Sequence, residues 1–352
     1  MSTTLFQPEQ QNATINPDAP PSPVNFFSTM NAYQRTAALK AAIDLDLFTT
    51  IKETTGTVAE VARRVKASER GVRAICDYLV VLGFLAKYTE EEEASYSLTP
   101  DSAMFLDKTS PQYVGGATIF LASKYMTAGF ENFAAVVRAG GPVTDRDVAQ
   151  DVPIWVDFAR GMAPLMFPVA AETAKLVSLG KYSKVLDIAA SHGLFGIQVA
   201  KRNPGAKVVA LDFPSVLVVA QENAERLGVS ERYRLLPGDA LEVPLGTDYD
   251  AVLISNLLHH WDRETIHRLL RKVHASLAVG GRIVIVEFVP NEDRVSPPIP
   301  AWFVMNMLAN TKGGDAYTAS EFSRMLEKAG FAAPEFHALS PTAETAIIAA
   351  KS

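Results

Sequence analysis

From Ser183 to Lys351 short apolar runs alternate with stretches of helical spacing, and this alternation narrows the possible folds more than any other feature. "SKVLDIA", "AKVVALDF", "YRLLPGDAL", "YDAVLISNLL" and "RIVIVEFVP" read as strands, and "TAIIAAK" can close their sheet. "GLFGIQVAKRN", "SVLVVAQENAERLG", "TIHRLLRKVHASLAVGG" and "TASEFSRMLEKAGF" read as the helices between them. In the last, Thr318 and Glu321 have the spacing of a capping box. Apolar runs without polar alternation fit strands covered on both faces. The expectation is therefore an α/β fold, a Rossmann-like, doubly wound, mostly parallel sheet.

Ligands of such sheets bind beyond the carboxyl ends of the strands. Here the first strand ends in "VLDIAASHG", where Asp187 precedes small residues and Gly193. Small side chains let the backbone approach a ligand closely. The G-x-G-x-x-G pattern is absent, since only Gly193 and Gly196 remain, so a pyrophosphate lacks its usual cradle. The carboxylate of Asp187 instead suits a cationic or amino-bearing ligand. Asp212, at the end of the second strand, is placed for ribose hydroxyls, and Asp239 of Gly238-Asp239-Ala240 for an adenine amino group. Any one strand-end acid can simply cap the helix that follows it. Three at successive strand ends point together to an adenosine-bearing, cationic, phosphate-free ligand, which S-adenosylmethionine fits.

The preceding half reads as mainly helical. Thr57 can cap one helix, Ser68 with Glu69 can open the next, and "FLAKYTEEEEASYSLT" gives two short strands about an acidic turn. Helix, turn, helix and hairpin form a winged-helix pattern. Acids outnumber bases over residues 56–108, and the wing tip is Glu90 to Glu93, so phosphate repulsion argues against DNA. Apolar faces from Phe26 to Leu47 instead call for a second copy of the chain. The 352 residues are 48% hydrophobic with a net charge of −6, which excludes general attraction to nucleic acid or anionic membrane. Cys76 stands alone, so neither an internal disulfide nor a cysteine-rich metal site is expected. No run has the length of a membrane span, and the polar N-terminus lacks the marks of a secretory signal, so the expected location is cytoplasmic. The expected divisions are a flexible tail (1–24), a dimerisation domain (25–108), a helical pocket region (109–177) and a ligand-binding domain (178–352).

"VLDIAASHG", "ALDFP", "PGDAL", "LLHHWDRE", "EFVPNEDR" and "GGDAYTASEF", in this order, resemble class I S-adenosylmethionine-dependent O-methyltransferases. The resemblance is to the small-molecule enzymes related to plant caffeate and hydroxyindole methyltransferases, in their bacterial branch, which carry an N-terminal winged-helix dimerisation domain. It implies a homodimer and a cofactor site at Asp187, Ala189, Ser191, Gly193, Asp212, Phe213, Gly238, Asp239, Ala240, Ser255 and Asn256. It further implies that His259 is the general base and that Glu287 orients it. A neutral imidazole is available near pH 7, where a phenol is not ionised. The family's second orienting acid falls at Ala316, so either Glu287 acts alone, Asp315 substitutes, or the reaction is not ordinary phenol methylation.

The roles of His192 and His260 stay open. No metal site is expected, since His267 and His274 have no ligand pattern around them. Trp155, Phe158, Met162, Met166, Trp302, Met305, Asn306 and Tyr317 are the candidates for an apolar, aromatic acceptor pocket between the halves. The expected activity is O-methylation of a small hydroxylated aromatic. C- or N-methylation, a non-methylating use of the sulfonium, a ligand-sensing winged-helix regulator and a non-catalytic binding module are the alternatives.

Overall fold

The computed structural model describes residues 20–89, 94–144, 152–180 and 183–352. They form two compact units that divide between Ala122 and Ser123.

The first unit contains α1 (Val24–Met30), α2 (Ala32–Asp44), α3 (Leu47–Glu53), α4 (Val58–Val65), α5 (Glu69–Val81) and α6 (Pro100–Phe105), with the hairpin β1 (Leu85–Tyr88) and β2 (Ser95–Leu98). Thr57 accepts the Glu60 N–H and Ser68 the Gly71 N–H, so both expected caps form. The hairpin is antiparallel with Leu85 opposite Leu98, and its core side chains Leu85 and Tyr96 pack with Phe48, Val61, Val72 and Leu79. Asp77 of α5 accepts from Lys87 at 2.6 Å and from the Tyr96 hydroxyl at 2.7 Å, which ties both strands to that helix. The wing tip Glu90–Glu93 lies outside the described residues. Phe26, Phe27, Met30 and Tyr33 of α1 and α2 are exposed.

The first unit ends with α7 (Thr118–Leu121), and the second begins with α8 (Lys124–Glu131), α9 (Phe133–Ala139) and the long α10 (Ile154–Leu176). Then follow β3 (Lys184–Ile188), α11 (Leu194–Arg202), β4 (Lys207–Asp212), α12 (Pro214–Arg226), β5 (Tyr233–Pro237) and β6 (Tyr249–Ser255). The chain continues through α13 (Arg263–Ser276), β7 (Leu277–Glu287), α14 (Pro298–Asn310), α15 (Ala319–Lys328), β8 (Glu335–Ala338) and β9 (Thr345–Ala350). Seven strands make one sheet in the order β5-β4-β3-β6-β7-β9-β8. The first five are parallel, and β9 runs antiparallel to both its neighbours. Apolar layers cover both faces, as unalternating strands require: Ile188, Ile254, Leu270 and Ile285 on one side, Val185, Ile197, Leu253 and Val286 on the other. No described helix is long and apolar enough to cross a membrane.

Two elements depart from the sequence reading. "LAVGG" does not extend the preceding helix but opens β7, where Leu277 pairs with Tyr249. Gly281 approaches the Tyr249 carbonyl so closely that a Cβ would lie 2.8 Å from its oxygen, a contact that only glycine permits. "TAIIAAK" does not close the sheet either, because β9 is inserted between β7 and an unforeseen edge strand, β8.

Candidate active site

The strand order reverses between β3 and β6, and the site is built on the turns at this edge. Ala189 and Ser191 follow β3 with φ of 54° and 51°, and Asn256 follows β6 with φ of 50°. Left-handed backbone at non-glycine residues costs about 1–3 kcal/mol each and persists where the surroundings fix it. Here the fixing bonds are visible. Asp212 accepts the Ser191 N–H at 2.8 Å and the Phe213 N–H at 2.7 Å, and the Asn256 N–H donates to the Val286 carbonyl at 2.8 Å. Gly193 has φ of 76°, and a Cβ there would fall 2.6 Å from the Tyr233 hydroxyl. The glycine at the end of "VLDIAASHG" is thus required both by conformation and by space.

These turns border a cavity whose wall comes wholly from the second unit. Nine residues named from sequence for a cofactor line it: Ala189, Ser191, Asp212, Phe213, Gly238, Asp239, Ala240, Ser255 and Asn256. Ser191 Oγ and Asn256 Oδ1 are buried there without a hydrogen-bond partner among the described residues. Asp187 and Gly193 lie behind the wall. The Asp187 side chain is fully buried, and its Oδ2 accepts the Gly196 N–H at 2.9 Å while its Oδ1 has no partner among the described residues. Burial, reinforced by the charge of Asp212, pushes its carboxyl up to about 7.

Of the acceptor candidates, Trp155, Phe158 and Met166 of α10 line this cavity and Met162, Trp302, Met305, Asn306 and Tyr317 do not. Met162 packs against the apolar layer beneath the sheet, and Trp302 and Met305 are exposed on α14. The Asn306 carbonyl accepts from Asn310, and the Tyr317 hydroxyl is spent on the Trp261 carbonyl at 2.6 Å. His192, Phe195, His260 and Trp261 line the cavity without having been assigned to it. Their signal was position, since each sits within three residues of an assigned one or of His259. His192 stacks on Phe195, accepts the Leu194 N–H at its Nδ1, and is held near 4 by burial, so it stays neutral within the turn.

Beside the cavity, His259 and Glu287 form a buried pair. His259 Nδ1 lies 2.6 Å from Glu287 Oε2, and Glu287 Oε1 accepts the Leu258 N–H at 2.7 Å and the His259 N–H at 3.3 Å. Because the carboxylate accepts, the ring proton belongs on Nδ1 and the lone pair on Nε2. The Phe303 ring meets the imidazole edge-on at 4.9 Å. Asp315 does not replace the acid missing at Ala316. Its N–H donates to the His259 carbonyl at 3.0 Å, while its carboxylate accepts from Ala316 and faces Arg294 at 3.5 Å. Among the described residues, Glu287 is the carboxylate that bonds the imidazole. The arrangement is a carboxylate-paired imidazole next to a cavity rimmed by carboxylates.

Comparison with known proteins adds two family matches, an O-methyltransferase domain over residues 143–332 and an O-methyltransferase dimerisation domain over residues 27–108. A solved structure of a candidate O-methyltransferase from Nostoc punctiforme is 47% identical with a TM-score of 0.90, covering 95% of this chain and all of that one. The 3-hydroxy-5-methyl-1-naphthoate 3-O-methyltransferase of Streptomyces sahachiroi is 27% identical over 84% of this chain and 86% of its own length. Human N-acetylserotonin methyltransferase, solved with S-adenosylmethionine, shares the fold at 23% identity and a TM-score of 0.83, over 95% of this chain and 99% of that one.

Proposed function

The chain belongs to the O-methyltransferase family, and we propose that it moves a methyl group from S-adenosylmethionine to a hydroxyl of a small aromatic molecule. The residues at the cavity suit that cofactor. Asp212 and Asp239 present carboxylates at the cavity wall, which suit the hydroxyls and the amino group of a nucleoside. Ser191 Oγ and Asn256 Oδ1 supply unspent polar atoms for an amino acid moiety. When bound, S-adenosylmethionine supplies an electrophilic methyl on a positively charged sulfur.

The observation that carries the proposal is the His259–Glu287 pair at 2.6 Å, one residue from the cavity wall. Glu287 fixes the tautomer, and the lone pair on Nε2 takes the proton of the acceptor hydroxyl as its oxygen attacks. The carboxylate then stabilises the imidazolium. Trp155 and Phe158, whose rings meet edge-on at 5.8 Å, offer an aromatic wall to a flat acceptor. The relatives named above act on a naphthoate and an acetylated hydroxyindole, which supports an aromatic acceptor here. A homodimer through the first unit and a cytoplasmic setting belong to the same proposal. The dimerisation match and the exposed Phe26, Phe27 and Met30 support the first, and the free, buried Cys76 the second.

The test is His259→Ala, assayed by product mass against an acceptor panel. Turnover is expected to fall about 10²–10⁴-fold, while S-adenosylhomocysteine binding measured by calorimetry persists. Equal rates in the two proteins would remove His259 as the base.

A further inference from the structure

The residue after the base has a side chain that nothing so far employs. His260 forms part of the cavity wall, and its Nδ1 is buried with no hydrogen-bond partner among the described residues. Its ring centroid lies 4.3 Å from that of His259 and 5.7 Å from that of Trp155, edge-on to the indole. Burial and the neighbouring His259 hold its imidazole well below the usual histidine range, so it is neutral and has one donor and one acceptor nitrogen. A buried polar atom without a partner is costly to the free protein, and a ligand that satisfies it recovers that cost. Ser191 and Asn256, two further cavity residues with unspent polar atoms, stand on the turns after β3 and β6 beside the strand-end acids. His260 stands beside the base.

We propose that His260 is a specificity-determining residue that hydrogen-bonds a second oxygen of the aromatic acceptor, carried by the substituent ortho to the reacting hydroxyl. The assignment rests on the reading of His259 as the base. If His259 addresses the reacting oxygen, a ring 4.3 Å away can reach only a group close to it on the same acceptor. Trp155, edge-on to His260 at 5.7 Å, offers an aromatic wall beside that position. The second oxygen can be a hydroxyl or a carbonyl, since a neutral imidazole both donates and accepts. An acceptor lacking it leaves the His260 nitrogen unpaired, which is the condition under which a site discriminates by a hydrogen bond.

Three naphthalenes test this with the full-length protein: 2-naphthol, with no second oxygen; 2,3-dihydroxynaphthalene, with a hydroxyl; and 1-hydroxy-2-acetonaphthone, with a carbonyl. Methylation is read by mass as kcat/KM, and affinity for the S-adenosylhomocysteine-loaded protein is read by calorimetry. At least one dioxygenated compound is expected to exceed 2-naphthol by about five- to tenfold, the size of one neutral hydrogen bond, and the arm that does so identifies the oxygen. His260→Phe keeps a ring but no nitrogen, and should bring that ratio close to one in both measurements. An unchanged ratio in His260→Phe overturns the assignment. So does a flat ratio in the unsubstituted protein, or a fall in S-adenosylhomocysteine affinity that matches the loss, which would place the ring against the nucleoside. The affinity ratio can be read whether or not turnover occurs, so a failure of methyl transfer, or full activity in His259→Ala, counts against the proposed function and leaves His260 to be judged by binding.

Discussion

Asp187 shows how far one residue can be read. The sequence placed an acid at the end of the first strand, and β3 does end beside it, but the side chain supports the turn from behind instead of lining the cavity. Residue type and spacing locate a carboxylate along the chain without telling which side of a turn it occupies. Its folded-state pKa of about 7, raised by burial above the ordinary 3.8, has a thermodynamic sign. Between those values the folded protein holds a proton that the unfolded chain releases. Stability contributed by the protonated form is therefore full below about 4 and lost as pH rises through about 7. Asp187→Asn has no proton to lose, so its urea midpoint should change less between pH 5 and 8 than that of the unsubstituted protein. Equal slopes would show that Asp187 does not titrate in that window. The neighbouring histidines were illegible for a different reason. Whether His192 turns into its own loop and whether His260 keeps an unpaired nitrogen depend on burial contributed by Phe195, His259 and Trp155, not on local pattern.

At the level of elements, the legible features were those with local causes. The capping box of α15 forms as the Thr318 and Glu321 spacing indicates, and Glu321 also binds Arg294 at 2.6 Å. Thr318 Oγ1 further accepts no role in the cavity but bonds Glu292 at 3.0 Å, joining α15 to the segment after β7. Thr318→Ala is expected to cost about 1 kcal/mol, seen as a lower urea midpoint with an unchanged slope; no shift would mean that water replaces the cap. The features missed had distant causes. "LAVGG" carries helix-compatible residues before its glycines, and only pairing with Tyr249, well upstream, makes it strand. Likewise β8 is four residues long and becomes strand because β9 offers Ala346 and Ile348 as pairing partners.

For the molecule as a whole, α1 presents Phe26, Phe27 and Met30 with no buried residue of its own, so substitutions there leave the core of the first unit intact. Replacing both Phe27 and Met30 by Asp removes apolar side chains worth about 1.5–3 kcal/mol each when buried, and should weaken self-association about a hundredfold or more. Sedimentation at micromolar concentration would show monomer in place of dimer; an unaltered mass would exclude this face. The order of helical and alternating stretches was legible because periodicity changes along the chain, whereas the break between Ala122 and Ser123 and the place of β9 in the sheet were not. That insertion sets a timetable. Glu287 faces Thr345 across the β7–β9 ladder, so β7 remains an open border until β9 is in place. Without β9, Glu287 at the end of β7 lacks the strand that flanks it in the folded sheet. The pair proposed for catalysis is thus completed only with closure of the sheet.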